Sequence, residues 1–251
     1  MPPRLFLLAF TVLLLGSAVA QTLTVSTASS LTEAFQDLAD AFEARHDGVR
    51  VSLNLGGSST LATQIVQGAP VDVFASANAA QMEVVAEAGL LAGPPRLFAN
   101  NHLVVIADPN GPVERVRDLA EPGVLLVLAG PEVPVGAYAR EALAGMDARY
   151  GAGFEEAVLA NLVSEETNVR QVAAKVRLGE ADAAIVYATD AVVVPDARVI
   201  EIPADLNVVA DYPIAVLADA PRPELARAFV ELALSEDGRG ILRARGFTTG
   251  E

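Results

Sequence analysis

The sequence predicts an α/β protein with doubly wound sheets, and three observations carry that expectation. Short runs with strand character recur at residues 22–26 (TLTVS), 49–55, 71–75, 103–107, 124–129 and 183–187. Between them lie segments whose apolar residues fall at helical spacing, as in Leu31, Ala34, Phe35, Leu38 and Phe42. The loops that join strand to helix are rich in glycine and serine. Strands alternating with helices in this order build sheets covered on both faces.

The elements follow one another regularly. The strand at 22–26 gives way to a loop of small residues, Thr27-Ala28-Ser29-Ser30, and then to the first helix. Ser30 and Glu33 stand at the S-x-x-E spacing of a capping box, which places Ser30 at the helix N-cap. After the strand at 49–55, Gly56-Gly57-Ser58-Ser59 leads into a helix carrying Leu61, Ile65 and Val66. Gly68-Ala69-Pro70 ends that helix, and 71–75 forms the third strand. The runs at 103–107, 124–129 and 183–187 are almost continuously apolar, as buried parallel strands are. Helices are expected at 137–148, 154–160 and 168–178, and two more at 223–234 and 236–245 that pack back on the first unit. Boundaries between two units are expected near Asn100-Asn101 and Asp211-Tyr212, each leading into an apolar strand.

The first residues set the compartment. Arg4 precedes an apolar run at 5–15, Gly16 and Ser17 break it, and Ala18-Val19-Ala20 supplies an A-x-A pattern. That order marks residues 1–20 as a cleavable signal peptide. The run is shorter than the roughly 20 apolar residues a spanning helix needs. No cysteine follows Ala20, so no lipid anchor is expected there. The chain has no cysteine at all, which excludes disulfides, thiolate chemistry and most zinc sites. A formal net charge of −15 excludes a nucleic-acid binder, which needs a basic footprint.

Catalytic signatures are missing. The two histidines, His46 and His102, adjoin no serine motif, and there is no G-x-S-x-G, Walker A, G-x-G-x-x-G or H-E-x-x-H sequence. What remains is a pair of hydroxyl-rich loops, Ser29-Ser30 and Ser58-Ser59-Thr60, each between a strand and a helix. In open α/β sheets ligands bind at the carboxyl ends of strands, where helix N-termini offer free N–H groups to anions. For either loop alone, ordinary capping explains the serines equally well. Two equivalent loops favour anion binding. Three further signals are weaker. The loop Pro131-Glu132-Val133-Pro134-Val135-Gly136 reads equally as a rigid turn, Asn168 as a helix cap, and Tyr187 as a core tyrosine with its hydroxyl at the rim.

At these same places the sequence resembles the periplasmic molybdate-binding proteins of ABC importers. The resemblance spans essentially the whole mature chain. Its markers, in order, are Ser30-Leu31-Thr32, Gly57-Ser58-Ser59-Thr60-Leu61, Gly68-Ala69-Pro70-Val71-Asp72-Val73-Phe74, PEVPVGAY at 131–138, Asn168-Val169-Arg170, Ile185-Val186-Tyr187 and Asp190-Ala191. Two departures are visible: Val135 stands where alanine is common, and Asn78 where aspartate is common.

The resemblance implies a type II periplasmic binding protein, with two doubly wound α/β lobes joined by two crossover strands and a ligand cleft between them. The first lobe would comprise 21–101 and 212–251, the second 102–211. The ligand would be molybdate or tungstate, held by hydroxyl and N–H donors of Ser30 and Ser58, backbone N–H groups of Val135 and Val169, and the hydroxyl of Tyr187. Molybdenum enters only as the oxyanion, with no other cofactor. The protein would be an exported monomer that is not an enzyme, delivering its ligand to an ABC transporter permease. Another oxyanion such as sulfate in the same fold, a serine enzyme and a receptor reporting to a membrane sensor are the competing readings.

Overall fold

A computed structural model describes residues 21–250 of the chain, so the leader expected at 1–20 lies outside the described residues. The first unit opens with β1 (Gln21–Ala28), a 3-10 turn at Ser29–Leu31 and α1 (Thr32–Glu43). Then come β2 (Val49–Gly56), α2 (Ser58–Val66), β3 (Val73–Ala75) and α3 (Ala79–Glu87). The long β4 (Arg96–Ala107) leads to the second unit, which holds β5 (Leu126–Ala129), α4 (Pro134–Tyr150), α5 (Phe154–Ala160), β6 (Leu162–Glu166), α6 (Val169–Arg177), β7 (Ala183–Tyr187), α7 (Ala188–Ala191) and β8 (Arg198–Glu201). The chain returns through β9 (Val209–Val216) to α8 (Pro223–Leu234) and α9 (Glu236–Ala244).

The strands lie in the order β2-β1-β3-β9-β4-β7-β5-β6, with β8 beside β4. Two of them join the lobes. The first half of β4 pairs antiparallel with β9, from Arg96 opposite Ile214 to His102 opposite Val209. Its second half pairs with β7 and β8 in the other sheet. These are the crossover strands of a periplasmic-binding-protein fold.

Strand register positions the loops that matter. β1 and β2 are parallel and end in step, Ala28 opposite Gly56, so the loops carrying Ser30 and Ser58 leave the sheet side by side. In the second lobe, β5 and β6 are parallel and end with Ala129 opposite Glu166, which sets the starts of α4 and α6 next to each other. At the start of α4 the fit is tight. A Cβ on Gly136 would lie 2.1 Å from the carbonyl oxygen of Gly130, so only glycine lets the helix begin this close to β5.

Apolar burial follows the expected faces. Ala34, Phe35, Leu38 and Phe42 of α1 are buried, and Phe229 of α8 packs edge-on against Phe42 with ring centroids 5.4 Å apart. The two C-terminal helices therefore cover the first lobe, as their amphipathic pattern implies.

Two local expectations are corrected. Ser30 is not the N-cap of α1. Residues 29–31 form a 3-10 turn, the cap position falls on Leu31, and the Ser30 hydroxyl bonds Tyr212 Oη at 3.1 Å. A tertiary partner outcompetes the local box. Residues 103–107 are not a parallel strand either, because they run antiparallel to β7 and β8. A continuous apolar run reports burial on both faces and carries no information on direction. Among the described residues no helix is long and apolar enough to cross a membrane.

Asp72 fastens the return segment. Its carboxylate is fully buried and accepts the Thr24 N–H at 2.8 Å and the Arg222 N–H at 2.6 Å, tying β1 to the start of α8. Asp72→Ala leaves two buried donors unsatisfied, at about 1–3 kcal/mol each. Urea unfolding should show a loss of about 2–4 kcal/mol. An unchanged midpoint and slope would contradict this role.

Candidate functional site

Ser30, Ser58, Val135, Val169 and Tyr187 are all buried and line one small cavity between the lobes. The family resemblance drew these residues from five separated segments, and the fold brings them together. Ser58 and Val169 are the first residues of α2 and α6, and Val135 is the second of α4. Amides at these positions have no carbonyl one turn earlier to bond. Three helix N-termini, each carrying the positive end of a peptide dipole, therefore meet at one point.

Each hydroxyl has a different local setting. Ser58 Oγ accepts the Ala77 N–H at 3.0 Å, which leaves its own proton free. Ser30 Oγ is steadied by Tyr212 Oη. Tyr187 Oη is buried and has no hydrogen-bond partner among the described residues. Burial pushes the Tyr187 hydroxyl well above the ordinary tyrosine value, so it stays protonated and neutral. Tyr187 ends β7, with its ring 5.8 Å from that of Tyr212.

Among the described residues, no lysine or arginine lines the cavity. The two arginines nearest in sequence to these amides are engaged elsewhere. Arg140 donates to the carbonyls of Ala129 and Gly136 and pairs with Glu165. Arg170 donates to Glu33 Oε1 at 2.9 Å and also to Oε2, while its Nε lies 2.6 Å from Asp190 Oδ1. The Nε–H does not point along that line, so the contact is an ion pair without a well-aligned hydrogen bond. Burial pushes the Asp190 carboxyl up to about 7, with Arg170 drawing it back. Burial alone would also raise Glu33, but the guanidinium's bonds and charge hold it below the usual carboxylate range.

Sequence reasoning missed the contacts that close the cleft around these donors. Gln81 Nε2 of α3 donates to Glu132 O across the lobes at 2.9 Å. Gly57, the N-cap of α2, meets the backbone of the second lobe so closely that a Cβ would fall 2.2 Å from the Thr167 carbonyl oxygen. The G-G-S-S run was the available signal, but Thr167 is far along the chain. Asn168 caps α6 by accepting the Gln171 N–H at 3.1 Å, the bland role the sequence allowed it. His46 stacks on Phe42 at 3.9 Å and belongs to the end of α1.

Comparison with known proteins places this architecture. The family of bacterial extracellular solute-binding proteins matches residues 23–248. The molybdate-binding protein ModA of Mycobacterium tuberculosis is 41% identical over 233 residues, which cover 91% of this chain and 85% of that protein. A substrate-binding domain assigned to a molybdenum ABC transporter of Clostridium difficile is 31% identical, with a TM-score of 0.68 over 92% of this chain and 99% of that one. The periplasmic molybdate-binding protein of Azotobacter vinelandii has the same fold, with a TM-score of 0.80 at 23% identity, over 91% of this chain and 100% of that one.

Gly57 offers a direct check on the cross-lobe geometry. Its backbone, φ −66° and ψ 136°, is ordinary, so alanine suits the first lobe and is rejected only by Thr167 of the second. Gly57→Ala should fold normally yet hold the lobes apart, and X-ray scattering should give a larger radius of gyration than wild type under conditions that favour closure. Equal radii would contradict it.

Proposed function

The chain belongs to the bacterial extracellular solute-binding proteins, and to their molybdate-binding members in particular, and on that footing we propose that it captures molybdate outside the cytoplasm and delivers it to an ABC transporter permease. One observation carries the ligand reading: hydroxyl and amide donors from both lobes converge on a cavity that, among the described residues, has no cationic side chain, and one of the donors, Tyr187 Oη, has no partner among them.

The chemistry of the donor set fits a fully deprotonated tetrahedral dianion. Such an ion has acceptors only, so it needs donors only. Neutral dipoles fixed by the fold replace its hydration shell without the desolvation of a buried countercharge. The ligands we assign are Ser30 and Ser58 through hydroxyl and N–H, Val135 and Val169 through N–H, and Tyr187 through its hydroxyl. Tungstate has the same shape and charge and should bind too. Phosphate carries a proton near neutral pH, and a P–O–H facing these amides sets donor against donor. Sulfate carries no such proton and is separated by size alone.

The remaining assignments belong to the same reading. The protein is a monomer exported by the leader at 1–20. Its first lobe comprises 21–101 and 212–251 and its second 102–211. We read it as a binding protein without catalysis, in keeping with relatives named as molybdate-binding and substrate-binding proteins.

Calorimetric titration at pH 7 tests the proposal. Molybdate and tungstate should bind, sulfate more weakly, and phosphate should fail to compete at comparable concentration. Tyr187→Phe should weaken molybdate about 10- to 150-fold, the value of a hydrogen bond to a charged group. Val135→Ala should change little, since its side chain is not the donor. Phosphate displacing molybdate, or Tyr187→Phe binding like wild type, would overturn the donor-only site.

A further inference from the structure

Arg170 stands one residue beyond an amide assigned to the anion, yet its guanidinium turns away to the opposite lobe. Its two terminal nitrogens meet both oxygens of Glu33, the second residue of α1. Its Nε rests beside Asp190, which is fully buried in α7 of Arg170's own lobe. Among the described residues, Glu33–Arg170 is the one ion pair that spans the lobes. Other cross-lobe contacts around the site include the Gln81–Glu132 bond, the backbone approach at Gly57, the Asn101–Thr189 hydrogen bond and the packing of Tyr187 on Tyr212.

We propose that Glu33 and Arg170 form a clamp that holds the lobes closed over the anion, with Asp190 as the positioning residue that aims the guanidinium at Glu33. The inference rests on the anion-binding reading above and deepens it. A fork-to-fork pair of this kind is strongly directional, so it forms only when α1 and α6 reach their closed separation. A contact present only in the closed form raises the population of that form and lowers the apparent dissociation constant by the same factor. Asp190 approaches from behind and draws Nε toward its own lobe, which leaves the two terminal nitrogens facing Glu33. Arg170 thus acts on the ligand through geometry and touches none of its oxygens. The arrangement also keeps a cation from the cavity wall, so recognition remains with neutral donors.

The clamp makes a prediction opposite in sign to simple charge repulsion. Glu33 is an anion near a site for a dianion, and if it acted through charge alone its removal would tighten binding. Through the clamp, its removal weakens binding.

The test compares wild type with Glu33→Gln and with Arg170→Lys, which keeps the charge but loses the fork. Titration with molybdate, tungstate and sulfate should give dissociation constants raised about 5- to 20-fold, a range reduced for the partial exposure of both side chains. The factor should be the same for all three anions, because closure is common to them. Stopped-flow should place the change in the dissociation rate. Unchanged or tighter binding, or a factor that differs between anions, would overturn the clamp. Should wild type bind none of the anions, the functional reading fails and the clamp is judged separately. The chain has no cysteine, so Glu83→Cys and Ala144→Cys, at exposed positions on α3 and α4, can carry a spin-label pair. Glu33→Gln should then reduce the short-distance population of the unliganded protein, and identical distance distributions would sink the proposal.

Discussion

Hydrogen-bond donors brought face to face in a dry cleft repel one another, and the structure is organised around that constraint. The N-termini of α2, α4 and α6 and the hydroxyls of Ser30, Ser58 and Tyr187 meet where, among the described residues, no carboxylate lines the wall. Each amide there lacks an intrahelical acceptor. Bringing such groups together is unfavourable unless an acceptor with several lone pairs sits between them. A tetrahedral dianion is such an acceptor, which explains how a chain of net charge −15 can bind an anion. The field at the site is set by nearby dipoles, whereas the charge on the distant surface is screened within about 8–10 Å.

The rest of the fold meets the same constraint. Parallel register at the ends of β1 and β2 sets one pair of donor loops side by side, and register at the ends of β5 and β6 sets the other. The crossover strands β4 and β9 bring the two pairs opposite each other. Glycine at 57 and at 136 permits approaches that any side chain would block. Tyr212 Oη contacts Ser30 Oγ, and the Ala77 N–H occupies an acceptor position of Ser58 Oγ, which leaves the Ser58 proton free for the cavity. The arginines that a simple charge argument would send to the anion are drawn off, Arg140 to Glu165 and main-chain carbonyls, Arg170 to Glu33 and Asp190.

Much of this was legible in the sequence. β7 at 183–187 and α5 at 154–160 follow the hydrophobic pattern residue for residue, and the position of Asn168 at the start of α6 follows from capping chemistry. The Ser30 and Ser58 segments were visible as hydroxyl-rich loops after strands, whereas Val135, Val169 and Tyr187 gave weak signals on their own and were pointed to by the family resemblance. What failed depended on distant partners. Ser30 and Glu33 have the spacing of a capping box, but Tyr212 and Arg170 compete for their side chains. The apolar run at 103–107 signals burial and cannot reveal that β4 runs antiparallel to β7. The Gly56-Gly57-Ser58-Ser59 run announces a helix start, but the reason for glycine at 57 lies in Thr167 on the other lobe.

Whether the anion is held by neutral donors alone can be seen in a crystal structure of the molybdate complex, phased on the anomalous signal of molybdenum. One strong peak should lie between Ser30, Ser58, Val135, Val169 and Tyr187, with oxygens about 2.7–3.2 Å from those donors and no arginine or lysine nitrogen in contact. A peak elsewhere, or an Arg170 or Arg140 nitrogen bonded to the anion, would contradict it.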